Sequence, residues 1–90
     1  MTSAPAPHVT TATPRPAQRW IALLDGHRLR QLRRQHGLSR DQLAAKAGIS
    51  PATVARLERQ QSASCRSRTL ARLAAALGED PARLTPAPQP

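Results

Sequence analysis

The spacing of glycine and helix-capping residues is the feature that most restricts how this 90-residue chain can fold. Three segments share one arrangement, a glycine followed two positions later by serine or aspartate: Gly37-Leu38-Ser39, Gly48-Ile49-Ser50 and Gly78-Glu79-Asp80. Glycine commonly ends a helix because it adopts the left-handed conformation without strain. Serine and aspartate commonly begin one because their side-chain oxygens accept hydrogen bonds from free backbone N–H groups. The spacing therefore predicts short helices separated by tight turns.

Apolar periodicity between these boundaries predicts helices and no strands. Leu70, Leu73, Ala74 and Leu77 recur at the i, i+3, i+4, i+7 spacing of one helix face. No segment alternates between apolar and polar residues as a strand does, and residues 60–66 are predicted to form a polar loop. The expected fold class is all-α, a compact five-helix bundle. Its helices are expected at about 25–36, 39–47, 51–58, 67–77 and 80–84.

Proline-rich ends delimit a single domain. Residues 1–19 contain four prolines and residues 86–90 contain three, so an N-terminal arm and a C-terminal tail are predicted to be disordered. The domain is expected to span residues 20–85. No apolar run approaches the roughly 20 residues that a membrane span needs, and no secretory signal pattern begins the chain. We therefore expect a cytoplasmic protein with no membrane partner.

The charge of the chain suggests a polyanionic partner. Fourteen Lys and Arg residues against five Asp and Glu residues give a formal net charge of +9. Such an excess is typical of proteins that bind DNA or RNA. A high content of Ala, Arg and Pro also arises from GC-rich codons without selection for binding, so charge alone leaves both interpretations open.

No set of residues predicts catalysis or metal binding. His27 and His36 are nine positions apart, too far to share a metal from one helix, and Cys65 has no second cysteine to join it. No serine, histidine and aspartate form a motif that would activate a nucleophile. We expect no enzyme activity, no metal and no cofactor, with Cys65 as an inert loop thiol.

Two short helices joined by a tight turn form the centre of the predicted domain. Residues 39–47, the turn 48–50 and residues 51–58 have the lengths of a helix-turn-helix, in which the second helix enters the DNA major groove. Ala44 and Ala47 are small enough to let the two helices approach closely. The segments 29–39, 42–50, 54–59 and 69–78 resemble the Cro/lambda-repressor type of helix-turn-helix domain, the XRE family of prokaryotic transcriptional regulators.

The resemblance implies a sequence-specific DNA-binding regulator, expected to be a repressor, that binds a two-fold symmetric operator as a homodimer. The positions implied to face the base edges are Pro51, Ala52, Thr53 and Arg56. The positions implied to contact phosphates are Ser39, Arg40, Arg59, Gln61 and Ser62. For any one of these arginines, a solvated helix face is the alternative. Gln60 departs from the family, which commonly has glycine there.

One pair of charged residues is expected to be structural. Arg33 follows Leu29 and Leu32 on the inward stripe of the first helix, where a charge is costly unless it is paired. The family often joins this position to that of Glu58 by an ion pair. We expect the pair here, and two independent exposed side chains are the alternative.

Alternative functions remain open at this point. The apolar run Trp20–Leu24 suggests an antitoxin-like adaptor that binds a protein partner and uses DNA for autoregulation. The other interpretation of this run is that Trp20 and Leu24 simply cover the start of the first helix. Nonspecific packaging of nucleic acid is a third possibility. If the protein dimerises, the fourth and fifth helices around Leu84 are the expected surface.

Overall fold

The structure, a computed structural model, describes residues 20–86. The predicted disordered arm at 1–19, and residues 87–90 of the predicted tail, lie outside the described residues. The elements in chain order are β1 (Ile21–Leu24), α1 (Gly26–Gln35), α2 (Arg40–Ala47), α3 (Pro51–Glu58), β2 (Ala63–Arg66), α4 (Ser67–Leu77) and a 3₁₀ helix (Pro81–Leu84). No helix in this part of the chain is long and apolar enough to cross a membrane.

The four longer predicted helices are confirmed, and three of them begin at the expected capping residues. Asp25 accepts a hydrogen bond from the backbone N–H of Arg28, at 3.0 Å, before α1. Ser39 and Gln42 form the predicted capping box before α2. Ser50 accepts from the backbone N–H of Thr53 before α3, and proline occupies the first turn of that helix.

The predicted all-α class and the fifth helix need correction. Residues 81–84 form a single 3₁₀ turn, because Asp80 caps a segment too short to complete an α-helix. The described residues also contain a two-stranded antiparallel sheet, β1 with β2, that the analysis of the sequence did not predict. The fold is mostly helical, with four α-helices and this small sheet.

The sheet forms because its two short strands bury alternate side chains. Leu24 of β1 lies opposite Ala63 of β2, and neither is exposed to solvent. Ile21 lies opposite Arg66 at the other end of the ladder, and both are exposed. The prediction of a polar loop at 60–66 is therefore wrong for 63–66. Cys65 belongs to a strand and is buried, rather than lying in a loop.

The core lies between α4 and the three preceding helices. Helix α2 packs against both α3 and α4, and α1 packs against α3 and the 3₁₀ helix. The backbone N–H of Asp25 donates to the carbonyl of Leu84 at 2.7 Å, which ties the 3₁₀ helix to the start of α1. The Leu84 side chain is fully buried within the domain, so it is not itself available to the dimer surface expected at the fourth and fifth helices. The largest fully buried side chains are Leu24, Leu29, Leu32, Leu43, Val54, Leu57, Leu73, Leu77 and Leu84.

Gly26 allows α1 to begin directly against the end of α3. It is buried, and a Cβ atom at this position would overlap the backbone oxygens of Leu57 and Gln60. Backbone atoms cannot move aside as a flexible side chain can, so any larger residue would push the two helices apart.

The substitution Gly26→Ala should therefore destabilise the domain much more than Gly37→Ala. Gly37 has a φ of 68° and open space around it, so alanine there costs about 1–2 kcal/mol of backbone strain. Gly26→Ala should lower the free energy of unfolding by about 3 kcal/mol or more, because the added methyl group overpacks the contact and forces α1 and α3 apart. Urea denaturation of both variants measures the difference. Equal midpoints would contradict the close approach at Gly26.

Candidate nucleic-acid interface

A three-residue turn joins α2 to α3. Gly48 adopts the left-handed conformation, with φ of 72°, and ends α2. The backbone N–H of Ile49 then donates to the carbonyl of Ala44 at 3.0 Å, and Ile49 is half-buried against the core. Ser50 caps α3. Ala44 and Ala47 are buried, so the small residues of α2 lie on its packed face. This arrangement is a helix-turn-helix.

Helix α3 has one buried face and one exposed stripe. Val54 and Leu57 are completely buried. Ala52, Arg56 and Arg59 are spaced by four and three positions, and all three are exposed, so they follow one line along the opposite face. The exposed stripe (Ala52, Arg56 and Arg59) therefore presents one small side chain and two cations to solvent.

The other two residues implied to face bases lie at the beginning of α3. Pro51 is exposed in the first turn, where its lack of an N–H leaves no helical hydrogen bond unmade. Thr53 is half-buried, and its hydroxyl lies 2.8 Å from the Ser50 hydroxyl. The structure thus places Pro51, Ala52 and Arg56 in solvent, while it holds the Thr53 hydroxyl against the helix cap.

Glu58 and Arg33 form a buried, two-pronged ion pair. The Nε of Arg33 donates to Oε2 of Glu58 at 2.6 Å, and its Nη2 donates to Oε1 at 3.1 Å. The remaining nitrogen, Nη1, donates to the backbone carbonyl of Leu38 at 2.8 Å. Both side chains are buried, so the pairing and the hydrogen bonds compensate for the loss of hydration. The structure therefore brings together the two residues that the sequence suggested as a pair.

Arg40 binds the same carboxylate, an interaction that the analysis of the sequence missed. Its Nε donates to Oε1 of Glu58 at 3.0 Å, while about half of the side chain remains exposed. The sequence suggested Arg40 only as a phosphate contact. No local spacing could have indicated this pair, because the residues are 18 positions apart and meet only when α2 packs on α3. Two guanidinium groups thus share one carboxylate, which leaves a net positive charge where α1, α2 and the end of α3 meet.

The remaining residues implied to contact phosphate are exposed. Ser39 accepts from the backbone N–H of Gln42 at 3.0 Å, and its hydroxyl can still donate. Arg59, Gln61 and Ser62 follow Glu58 along the chain, and within residues 20–86 their side chains make no hydrogen bond or ion pair. Ser39 thus caps α2 and Arg40 begins it, while Arg59 directly follows Glu58 in the sequence.

Cys65 lies close to this surface but is protected. Burial raises the pKa of the Cys65 thiol, and the nearby charge of Arg56 and a hydrogen bond with the backbone of Leu70 only partly oppose that effect. The thiol is therefore protonated at neutral pH. The sequence did not indicate that Arg56 and Cys65 are neighbours, because the short strand β2 had not been recognised.

Comparison with known proteins identifies the family. The family model described as a helix-turn-helix domain matches residues 26–86, which is more than half of the chain. The chain belongs to this helix-turn-helix family. Its solved structural relatives are XRE regulators of the lambda-repressor type, which confirms the resemblance drawn from the sequence. No curated protein sequence matches the chain.

Three solved structures illustrate this likeness. The restriction-modification controller protein C.AhdI from Aeromonas hydrophila is 36% identical, with a TM-score of 0.61 over 64% of this chain and 86% of its own. SinR, a master regulator for biofilm formation solved in complex with DNA, is 27% identical, with a TM-score of 0.62 over 66% of this chain and 94% of its own. In a SinR/SinI protein complex, the matching chain is 28% identical, with a TM-score of 0.60 over 64% of this chain and 56% of its own.

Loss of the Glu58 carboxylate should destabilise this helix-turn-helix domain severely. Glu58→Ala leaves the buried guanidinium of Arg33 without its partner, which typically costs about 3–5 kcal/mol. Glu79→Ala is the matched control, since Glu79 pairs with the exposed Arg83 and with His36 at the surface and should cost about 0–1 kcal/mol. Thermal unfolding followed by circular dichroism measures both. Similar melting temperatures for the two variants would contradict a structural role for Glu58.

The Cys65 thiol should react with iodoacetamide far more slowly in the folded protein than in guanidinium chloride. The folded state favours the protonated thiol because its pKa is raised there. Because the thiol pKa is higher in the folded state, the free energy of unfolding is unaffected below the pKa of the unfolded state. It decreases as the pH rises from there through the pKa of the folded state. Alkylation rates measured by mass spectrometry between neutral and alkaline pH test this. An equal rate in both solvents would show that the thiol is accessible.

Proposed function

We propose that this protein binds double-stranded DNA sequence-specifically, inserts α3 into the major groove and regulates transcription as a repressor. The observation that supports this most directly is the exposed stripe of Ala52, Arg56 and Arg59 on a helix whose opposite face is completely buried. A recognition helix needs this combination, because its contacts with bases have to come from side chains that the core does not use. The family and the complex of the similar SinR with DNA support the same function.

Each base-contacting residue has a distinct chemical role in this proposal. Arg56 can donate two hydrogen bonds to O6 and N7 of a guanine. Ala52 can contact a thymine methyl group, and so can the methyl of Thr53, whose hydroxyl already interacts with Ser50. Pro51 can offer only apolar contact. Arginine therefore supplies most of the hydrogen-bonded discrimination between bases.

The proposed phosphate contacts flank α3 on two sides. Ser39 and Arg40 begin α2, where free backbone N–H groups favour an anion. Arg40 uses Nε for Glu58, so its two Nη groups are left for phosphate. Arg59, Gln61 and Ser62 approach from the segment after α3. Such contacts orient the protein without reading the sequence.

A homodimer on a two-fold symmetric operator completes the proposal. One α3 reads only a few base pairs, and two copies related by a two-fold axis would bind half-sites about 34–36 Å apart. The proposal includes no catalytic step and no cofactor. Regulation would then act through the occupancy of the operator.

A second candidate function is that of an adaptor that also binds a protein. The side chains of Trp20, Ile21 and Leu23 are at least half exposed. Leu24 is fully buried, whereas Trp20 is 67% exposed, so Trp20 does not cover the start of α1 as the sequence suggested it could. The similar SinR was also solved in a complex with a protein, SinI.

Selection of bound duplexes from a random pool tests the DNA-binding proposal. The full chain should enrich a short, partly palindromic sequence, with a guanine in each half-site that pairs with Arg56. Enrichment of one unrepeated half-site would contradict the dimer. Retention of the pool without any enrichment would contradict sequence-specific binding and support nonspecific packaging.

Single substitutions should separate base contacts from phosphate contacts on the recovered duplex. Arg56→Ala should cost about 1–3 kcal/mol and relax the preference at one base pair. Arg40→Ala should weaken binding to all duplexes alike and reduce the slope of log K against log salt by about one. Arg30→Ala removes the same charge from an exposed face of α1 and is the control. Fluorescence anisotropy at several salt concentrations measures these effects. Identical behaviour of Arg56→Ala and Arg40→Ala would contradict the division of roles.

A further inference from the structure

The small sheet presents apolar side chains to solvent on its outer side. In the β1–β2 ladder, Ile21 faces the same side as Arg66, and Leu23 faces the same side as Ser64. Trp20 immediately precedes β1. We call Trp20, Ile21, Leu23, Ser64 and Arg66 the outer β face. Its three large apolar residues are 67%, 50% and 54% exposed, in chain order.

The exposed residues Ile21 and Leu23 belong to strand β1, which the core anchors through its alternate side chains. The alternate residues Ala22 and Leu24 pack inward, opposite Cys65 and Ala63, and Leu24 is completely buried. Register and burial therefore fix the direction in which Ile21 and Leu23 point. Across residues 20–86, Trp20, Ile21 and Leu23 are also the only large hydrophobic residues that are exposed. Single exposed apolar residues are ordinary, but three adjacent ones define a patch.

Cations border this apolar patch. An open groove of about 550 Å³ is lined by Trp20, Ile21, Arg66, Ser67 and Arg68. Both arginines are exposed, and within the described part of the chain neither forms an ion pair or a hydrogen bond through its side chain. The groove therefore combines an apolar surface with two uncompensated positive charges.

None of the five acidic side chains of the chain, all of which lie within residues 20–86, pairs with these arginines. Four of its five acidic side chains are engaged elsewhere: Asp25 and Asp80 cap helices, Glu58 binds two arginines, and Glu79 pairs with His36 and Arg83. The fifth, Asp41, lies in the first turn of α2. A second copy packed on this face through its own outer β face would bring Arg66 and Arg68 against the same two cations. Charge complementarity therefore favours an acidic occupant over a second copy.

We propose that the outer β face, together with Arg68, binds a protein segment in which carboxylates flank aliphatic or aromatic side chains. The carboxylates would pair with Arg66 and Arg68, while the apolar side chains would cover Trp20, Ile21 and Leu23. A DNA backbone could satisfy the arginines, but it has no aliphatic counterpart for Ile21 and Leu23. This inference rests on the adaptor function proposed above and names the surface and the partner chemistry for it.

The single tryptophan provides a direct probe of this surface. A phage-displayed random-peptide library is selected on the full-length protein, with excess heparin to suppress nonspecific polyanion binding. Recovered peptides should combine Asp or Glu with apolar residues, and a synthetic copy should shift Trp20 emission to shorter wavelength as the ring becomes buried. Leu23→Ser and the pair Arg66→Glu, Arg68→Glu should each weaken peptide binding by at least about tenfold. The pair Arg30→Glu, Arg34→Glu, on the exposed side of α1, is the charge-matched control and should have no effect.

Other outcomes would overturn the proposal. The proposal fails if no peptide is enriched, or if the enriched peptides lack acidic residues. It also fails if variants that circular dichroism shows to be folded bind the peptide with unchanged affinity. A wild-type dimer that Leu23→Ser dissociates in sedimentation equilibrium would assign the face to a second copy. Loss of affinity for the selected DNA duplex in both Leu23→Ser and the arginine pair would assign it to nucleic acid. The peptide experiment tests the outer β face and the duplex experiment tests DNA binding, so a negative result in one leaves the other proposal standing.

Discussion

The arrangement of the first three helices depends on the hydrogen bonds that the carboxylate of Glu58 accepts. The carboxylate receives hydrogen bonds from Arg33 of α1 and from Arg40 of α2, while Glu58 itself ends α3. A buried charge is tolerated only when its partners are close and well oriented, so the three helices have to meet in one geometry. The ion pairs of Glu58 thus fix the orientation of α3 relative to α1 and α2, whatever their net contribution to stability. The direction in which the exposed stripe of α3 points is fixed with it.

The end of α3 is held by contacts with α1 and α2, whereas the side chains at its beginning are exposed. Gly26 brings the first turn of α1 against the backbone of Leu57, and Arg40 binds Glu58 from α2. At the other end, Pro51 and Ala52 are exposed, and only the Ser50 cap and the turn constrain them. A helix fixed at its C-terminal end and exposed at its N-terminal end suits the proposed insertion into a groove. The outer β face is formed by elements other than the helix that carries the base-contacting residues.

Local signals predicted the helices, and interactions between distant residues escaped prediction. Ser39 and Ser50 cap helices through hydrogen bonds to residues three positions away, so the sequence alone located the starts of α2 and α3. Strand β2 has only four residues and no β-branched one, and it is stable because β1 pairs with it. The Arg40–Glu58 pair likewise exists only once α2 and α3 pack. Arg33 and Glu58 could be suggested in advance because the family resemblance supplied the partner that spacing could not.

In the proposed function, α3 and its flanking cations form the DNA-binding surface. Backbone ¹H–¹⁵N chemical shifts, followed while the selected duplex is added to the full-length protein, test it most directly. The large changes are expected at residues 39–42, 51–56 and 59–62, with the strands β1 and β2 little affected. Changes concentrated at residues 21–23 and 64–66, with α3 unperturbed, would contradict it.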